Sequence, residues 1–137
     1  MHILLADDRP KVRFALRVLL ERQPGLEVVG EATDARDLLE QAKANCPNLV
    51  LLDWELPDLA AANLLSALRE VCPHLFVIAL SGRLEARRAA EAAGVDAFVS
   101  KTDPPERLLA AIDDCWQKLR EKTRSSPIGR VSQEIEQ

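Results

Sequence analysis

Three aspartates, one serine and one lysine carry the chemistry this chain can do: Asp7, Asp8, Asp53, Ser81 and Lys101. Each stands at or just after the C-terminal end of a short apolar run. The runs are Ile3 to Ala6, Leu49 to Leu52, Leu75 to Leu80 and Ala97 to Val99. Adjacent carboxylates such as Asp7-Asp8 repel one another unless a cation neutralises them. Magnesium suits them, because it is hard and takes oxygen ligands. An ammonium and a hydroxyl beside such an ion are the groups that hold phosphoryl oxygens. Asp8 also admits a plainer role as the cap of a helix that has Pro10 just inside it, but capping leaves Asp7 unexplained.

These side chains need elements that aim them at one place. Apolar runs of this length, separated by helical patterns, predict buried parallel strands. In an open α/β sheet the ligand crevice lies outside the carboxyl ends of the strands. Strands are expected at about 2–6, 26–32, 48–52, 75–80 and 96–99. A first helix is expected over 10–22, with Val12, Ala15, Leu16 and Leu19 on one face. A second begins near Asp34, with Leu38, Leu39 and Ala42 inward, and a third carries Leu64, Leu65, Leu68 and Val71. A fourth ends at Gly94. Asp103, Pro104, Pro105 and Glu106 read as an acid cap, a proline start and a first-turn glutamate for a fifth helix. Its stripe is Leu108, Ile112, Cys115 and Leu119. Pro-x-Leu at 24–26, 47–49 and 73–75 marks successive helix-to-strand joints. Strand–helix–strand units cross over right-handed, so the sheet is expected to be parallel.

At 137 residues, one domain is the default. The apolar pattern ends near residue 121, and 122–137 reads as a polar tail or the start of a linker. The chain is 47% hydrophobic and 29% charged with a net charge of −4, which argues against a dedicated nucleic-acid binder. No apolar stretch approaches membrane-spanning length, and Ile3 to Ala6 is too short for a signal peptide. The three cysteines lack metal spacing; they are expected to be reduced and structural, in a cytoplasmic protein.

Four pieces, in order, resemble the receiver domains of bacterial two-component response regulators. They are Leu5-Ala6-Asp7-Asp8, Leu51 to Asp58, Ala79-Leu80-Ser81-Gly82 and Ala97 to Lys101. Val28 to Ala32 and Phe98 to Thr102 look most like the subfamily with a LuxR-type helix-turn-helix output. The resemblance covers about residues 1–121. It implies a doubly wound, flavodoxin-like sheet of order 2-1-3-4-5 flanked by five helices. It makes Asp53 the phosphoacceptor, with magnesium held by Asp7, Asp8, Asp53 and the backbone carbonyl of Glu55. Lys101 and Ser81 would hold the phosphoryl oxygens. Ser81 and Phe98 stand where the family has its switch residues, and Phe98 is expected to turn inward on activation. The implied partners are a sensor histidine kinase or phosphotransfer protein and a second copy of the chain on activation. DNA is implied only if a helix-turn-helix follows, and none does within the sequence. Departures are Ala61 for the family's usual glycine and Thr102 for its frequent proline.

Two other classes compete. An Asp-nucleophile phosphatase of the haloacid dehalogenase type would want a second Asp where Glu55 stands, and a cap domain. A pseudo-receiver acting without phosphate would not need the full polar set. Glu55 lies two residues after Asp53, and Arg83 two after Ser81. The pair is expected at the mouth of the site, as modulators joined by an ion pair.

Overall fold

In the computed structural model, residues 1–57 and 61–124 are described. Among them five strands alternate with five helices: β1 (His2–Ala6), α1 (Pro10–Glu21), β2 (Glu27–Ala32), α2 (Ala35–Ala44), β3 (Leu49–Asp53), α3 (Ala61–Val71), β4 (Phe76–Ser81), α4 (Ala86–Ala93), β5 (Ala97–Ser100) and α5 (Pro105–Arg124). All pairings are parallel, in the order β2-β1-β3-β4-β5. This is the expected flavodoxin-like topology.

Strand alternation divides the interior into two cores. Leu4, Ala6, Val50 and Leu52 point to the face covered by Leu38 and Ala42 of α2 and Leu64, Leu65 and Leu68 of α3. Ile3, Leu5, Leu49 and Leu51 point to the other face, against Leu20 of α1 and Leu108, Ile112 and Cys115 of α5. The central strands are buried on both faces, so they read as continuous apolar runs. Asp34 caps α2, its carboxylate accepting from the Asp37 N–H at 2.8 Å. Gly94 ends α4 with φ +98°, a conformation that favours glycine.

Some local expectations are corrected. Leu20 is the fully buried residue of α1, which the expected stripe omits; Val12, Ala15, Leu16 and Leu19 do share one face, where they line a cavity of about 560 Å³ between α1 and the start of α5, with Leu16 and Leu19 packed against the core. The cap of α1 is Arg9, without a side-chain bond, so Asp8 is not spent on capping. Asp103 does not cap α5 either: its carboxylate accepts from the Ser100 N–H at 3.1 Å. The helix begins at Pro105, which puts Asp103 one residue before the capping position. The α5 helix continues to Arg124, and the rest of the expected tail, 125–137, lies outside the described residues.

The reduced state expected of the cysteines is corrected too. Cys46 and Cys72 are joined by a disulfide, with Cα atoms 5.7 Å apart, while Cys115 is free and buried. Each bonded cysteine follows the C-terminus of a helix and precedes a proline. Because α2 and α3 cover the same face of the sheet, those two helix ends meet. No helix among the described residues is long and apolar enough to cross a membrane.

Candidate phosphoryl and metal site

Register brings the polar residues together. Ala6 pairs with Leu52, so Asp7, the next residue, stands level with Asp53. Asp53 pairs with Leu80, and Ser81 with Ser100, immediately before Lys101. Backbone bonds extend the ladder past the strand ends: Asp7 N–H to Ala32 O at 3.1 Å, Trp54 N–H to Leu80 O at 2.8 Å and Lys101 N–H to Ser81 O at 2.9 Å. One crevice thus collects side chains separated by up to 94 positions in sequence.

Lys101 is its centre. Its Nζ donates to Asp7 Oδ2 and to Asp53 Oδ1, each at 3.0 Å. Asp7 and Asp53 are both only 2% exposed. Such buried carboxylates are tolerated because the ammonium and backbone donors compensate them. Asp53 Oδ1 also accepts the Glu55 N–H at 3.0 Å, and Asp7 Oδ1 the Arg9 N–H at 2.9 Å. Burial still outweighs these donors at Asp53 and holds its pKa above the ordinary aspartate range, with the Asp7 charge a smaller contribution.

Asp8 is exposed, yet it belongs to the same cluster: one carboxylate oxygen from each of Asp7, Asp8 and Asp53 lies within 4.8 Å of the others. For metal–oxygen bonds of ~2.0–2.1 Å, octahedral ligands stand about 2.9 Å apart when adjacent and about 4.2 Å apart when opposite. The 4.8 Å span is a little wider than either, so this all-oxygen donor set would close slightly around a magnesium ion that keeps several waters.

Around the crevice, Ser81 Oγ donates to Glu55 Oε2 at 2.7 Å and accepts the Arg83 N–H at 3.0 Å. Glu55 and Arg83 do line one depression of about 440 Å³, together with Trp54 and Glu85. The expected ion pair between them is not formed. Glu55 is held by the serine hydroxyl, and Arg83 pairs with Glu85 at 3.2 Å, a nearer partner along the chain. Phe98 is already turned inward, 7% exposed against Ala79 and Ala90, with the Arg87 guanidinium 4.8 Å from the ring centroid.

Sequence reasoning missed Arg13. Its guanidinium donates to the Asp7 carbonyl and to Glu31, both at 2.7 Å. The only signal available was one cation on a polar helix face, which is ordinary.

The profile of the response regulator receiver domain matches residues 3–113. The chain belongs to this family. A receiver domain is a signalling module rather than a classical enzyme. The chain is 39% identical over 112 residues to the transcription regulator BvgA of Bordetella pertussis, covering 80% of this chain and 53% of BvgA. It is 34% identical over 112 residues to the nitrate/nitrite response regulator NarL of Escherichia coli, covering 80% and 52%. The receiver thus spans about half the length of these curated relatives. Among solved structures, a LuxR-family response regulator from Aurantimonas superposes with a TM-score of 0.75 at 28% identity, covering 89% of this chain and 96% of that one. RcsB from Salmonella enterica, bound to promoter DNA with a phosphomimetic, gives 0.77 at 25% identity, covering 89% and 65%.

Proposed function

We propose that this receiver accepts a phosphoryl group on Asp53, with magnesium, from the phosphohistidine of a sensor kinase or phosphotransfer protein. The observation that carries this reading is the Lys101 ammonium bridging Asp7 and Asp53 at 3.0 Å each, beside the exposed Asp8. Both hydrogen bonds to Asp53 described above fall on Oδ1, which leaves Oδ2 free to attack phosphorus. The P–N bond of the phosphohistidine breaks, and the imidazole leaves with the electron pair. Bound by Asp7, Asp8, Asp53 and the Glu55 carbonyl, magnesium would draw charge from the phosphoryl oxygens as they spread it in the transition state. Lys101 supplies the second positive charge and Ser81 a hydrogen bond. The phosphoryl group then adds about −1.5 to −2 charges at neutral pH, which switches the surface of α4, β5 and α5. Ser81 and Phe98 are the switch residues, and Glu55 and Arg83 modulate the site.

Residues 1–121 form the receiver in this reading, and 122–137 a tail or the start of a linker. The protein acts in the cytoplasm and pairs with a second copy when active. DNA binding would need an output domain beyond the chain, as the length of its relatives allows. The test is a small phosphodonor with magnesium, read by intact mass. One added phosphoryl group, absent in Asp53→Asn, supports the reading. No labelling at any donor concentration would favour a phosphate-independent module.

A further inference from the structure

We infer that Arg13 is a positioning residue for the metal-binding carboxylates: it clamps the Asp7–Asp8 peptide to β2 and so fixes where the Asp8 carboxylate stands. The inference rests on the magnesium reading above. Asp7 is the first residue past β1, where the strand ladder runs out. Its N–H still reaches Ala32 O, but its buried C=O is met by Arg13 Nη1 at 2.7 Å. That carbonyl belongs to the peptide joining Asp7 to Asp8. If the peptide turns, Asp8 turns with it.

The clamp is itself anchored. Arg13 Nε donates to Glu31 Oε1 at 2.7 Å, and Arg17 Nε holds the other oxygen, Oε2, at 2.8 Å. The Glu31 carbonyl accepts from Gln41 Nε2 at 2.7 Å, which ties the same residue to α2. Arg13 is 15% exposed and Glu31 30% at the side chain, so water competes weakly for the guanidinium. One planar fork grips the Asp7 carbonyl and the Glu31 carboxylate together. A lysine ammonium offers neither the second arm nor the fixed angle.

A plainer role for Arg13 is that of a charge balancing nearby carboxylates, and the two roles predict opposite signs. Removing a cation beside a magnesium site should tighten metal binding by Coulomb's law. Removing a clamp should weaken it. Groups that orient metal ligands typically contribute about 10–100-fold in affinity.

The experiment is a magnesium titration of the full chain, followed by calorimetry and by the fluorescence of Trp54, the residue after the acceptor. Trp116 on α5 gives a constant background. Arg13→Met and Arg13→Lys should each weaken magnesium binding about tenfold or more. Glu31→Gln should weaken it less, and the double variant Arg13→Met/Glu31→Gln should be no worse than Arg13→Met alone. Urea midpoints check that each variant is folded; the charge-conserving Arg13→Lys and the near-isosteric Glu31→Gln keep the test readable should Arg13→Met fail to fold. Tighter or unchanged binding in Arg13→Met, or wild-type affinity in Arg13→Lys, would overturn the clamp. Absence of magnesium binding in the wild type, or undiminished binding in Asp8→Ala, would instead bring down the reading of the carboxylate cluster, and the clamp with it.

Discussion

Ser81 Oγ gives its hydrogen to Glu55 Oε2 across 2.7 Å, which ties the end of β4 to the segment that follows Asp53. A serine that is to serve a phosphoryl oxygen must first release that carboxylate. Under the proposed function, Glu55 would therefore compete with the phosphoryl group for one hydroxyl. The carboxylate is exposed, so the bond is worth about 1 kcal/mol, the scale of an ordinary hydrogen bond and not that of a buried charged acceptor. Glu55→Ala should speed labelling by a phosphodonor about fivefold, the rate equivalent of that energy. In a Ser81→Ala background the same change should do little. Arg83 is engaged with Glu85, so Arg83→Ala should act independently and combine additively with Glu55→Ala. Labelling rates of the three single variants and the two doubles decide it.

Asp53→Asn should abolish labelling and stabilise the metal-free protein. Burial raises the Asp53 pKa in the folded state, so the native protein holds this proton more tightly than the unfolded chain does. The sign follows from linkage: the contribution of Asp53 to stability falls as pH rises through its folded pKa, and ionised Asp53 opposes folding above it. Asparagine removes the charge and keeps an oxygen for the Glu55 N–H and for Lys101. A gain of about 0.5–2 kcal/mol at neutral pH is expected, on the general scale of single-site effects. Urea melts of both proteins without magnesium, from acid to neutral pH, measure it. A less stable Asp53→Asn would show that the Lys101 pair outweighs the cost of burial.

Glu31 has the opposite sign. The Arg17 and Arg13 hydrogen bonds hold its carboxyl below the ordinary glutamate range. Its stabilisation is complete above the unfolded glutamate pKa, about 4.3, and is lost as pH falls through the lower folded value. Because the group is partly exposed, solvent screening limits its contribution to about 1 kcal/mol. Glu31→Gln should lower the urea midpoint at pH 7 and bring the variants together in acid. Salt should narrow the difference as well.

The strands and the carboxylate crevice were legible in the sequence because each depends on a local pattern. Leu49 to Leu52 is apolar on both faces, so its status as a central strand needed no knowledge of its neighbours. Asp7, Asp53 and Lys101 converge because the register follows from strand ends that the prolines and apolar runs already mark. What stayed hidden is set by rotamers or by helix-to-helix contact. Glu55 and Arg83 reach the same depression, yet each finds a nearer partner, Ser81 or Glu85, that spacing alone does not choose between. The Arg13 clamp depends on a strand running out one residue before a buried carbonyl. The disulfide depends on the packing of α2 beside α3, which neither the number of cysteines nor a separation of 26 residues announces.

That disulfide should act on stability and leave the site alone. Cys46 lies three residues before β3 and Cys72 four before β4, so the bond sits at the N-terminal ends of the strands, opposite the carboxylates. Cross-linking residues 26 apart restricts the unfolded chain far more than the folded one. The chain-entropy relation gives about 3.5 kcal/mol for a loop of that size at 25 °C. Double replacement, Cys46→Ser with Cys72→Ser, or treatment with reductant should therefore lower the urea midpoint. It should also steepen the transition, since the released chain exposes more surface on unfolding. Magnesium affinity and labelling of Asp53 should not change, because the bond lies at the opposite end of the sheet from the Asp7, Asp53 and Lys101 cluster. Urea melts of wild type with and without reductant, beside the double variant, provide the measurement. An unchanged midpoint in reductant would mean that the two thiols are not joined in solution. A loss of labelling in the folded double variant would mean that α2 and α3 transmit strain through the strands to the acceptor.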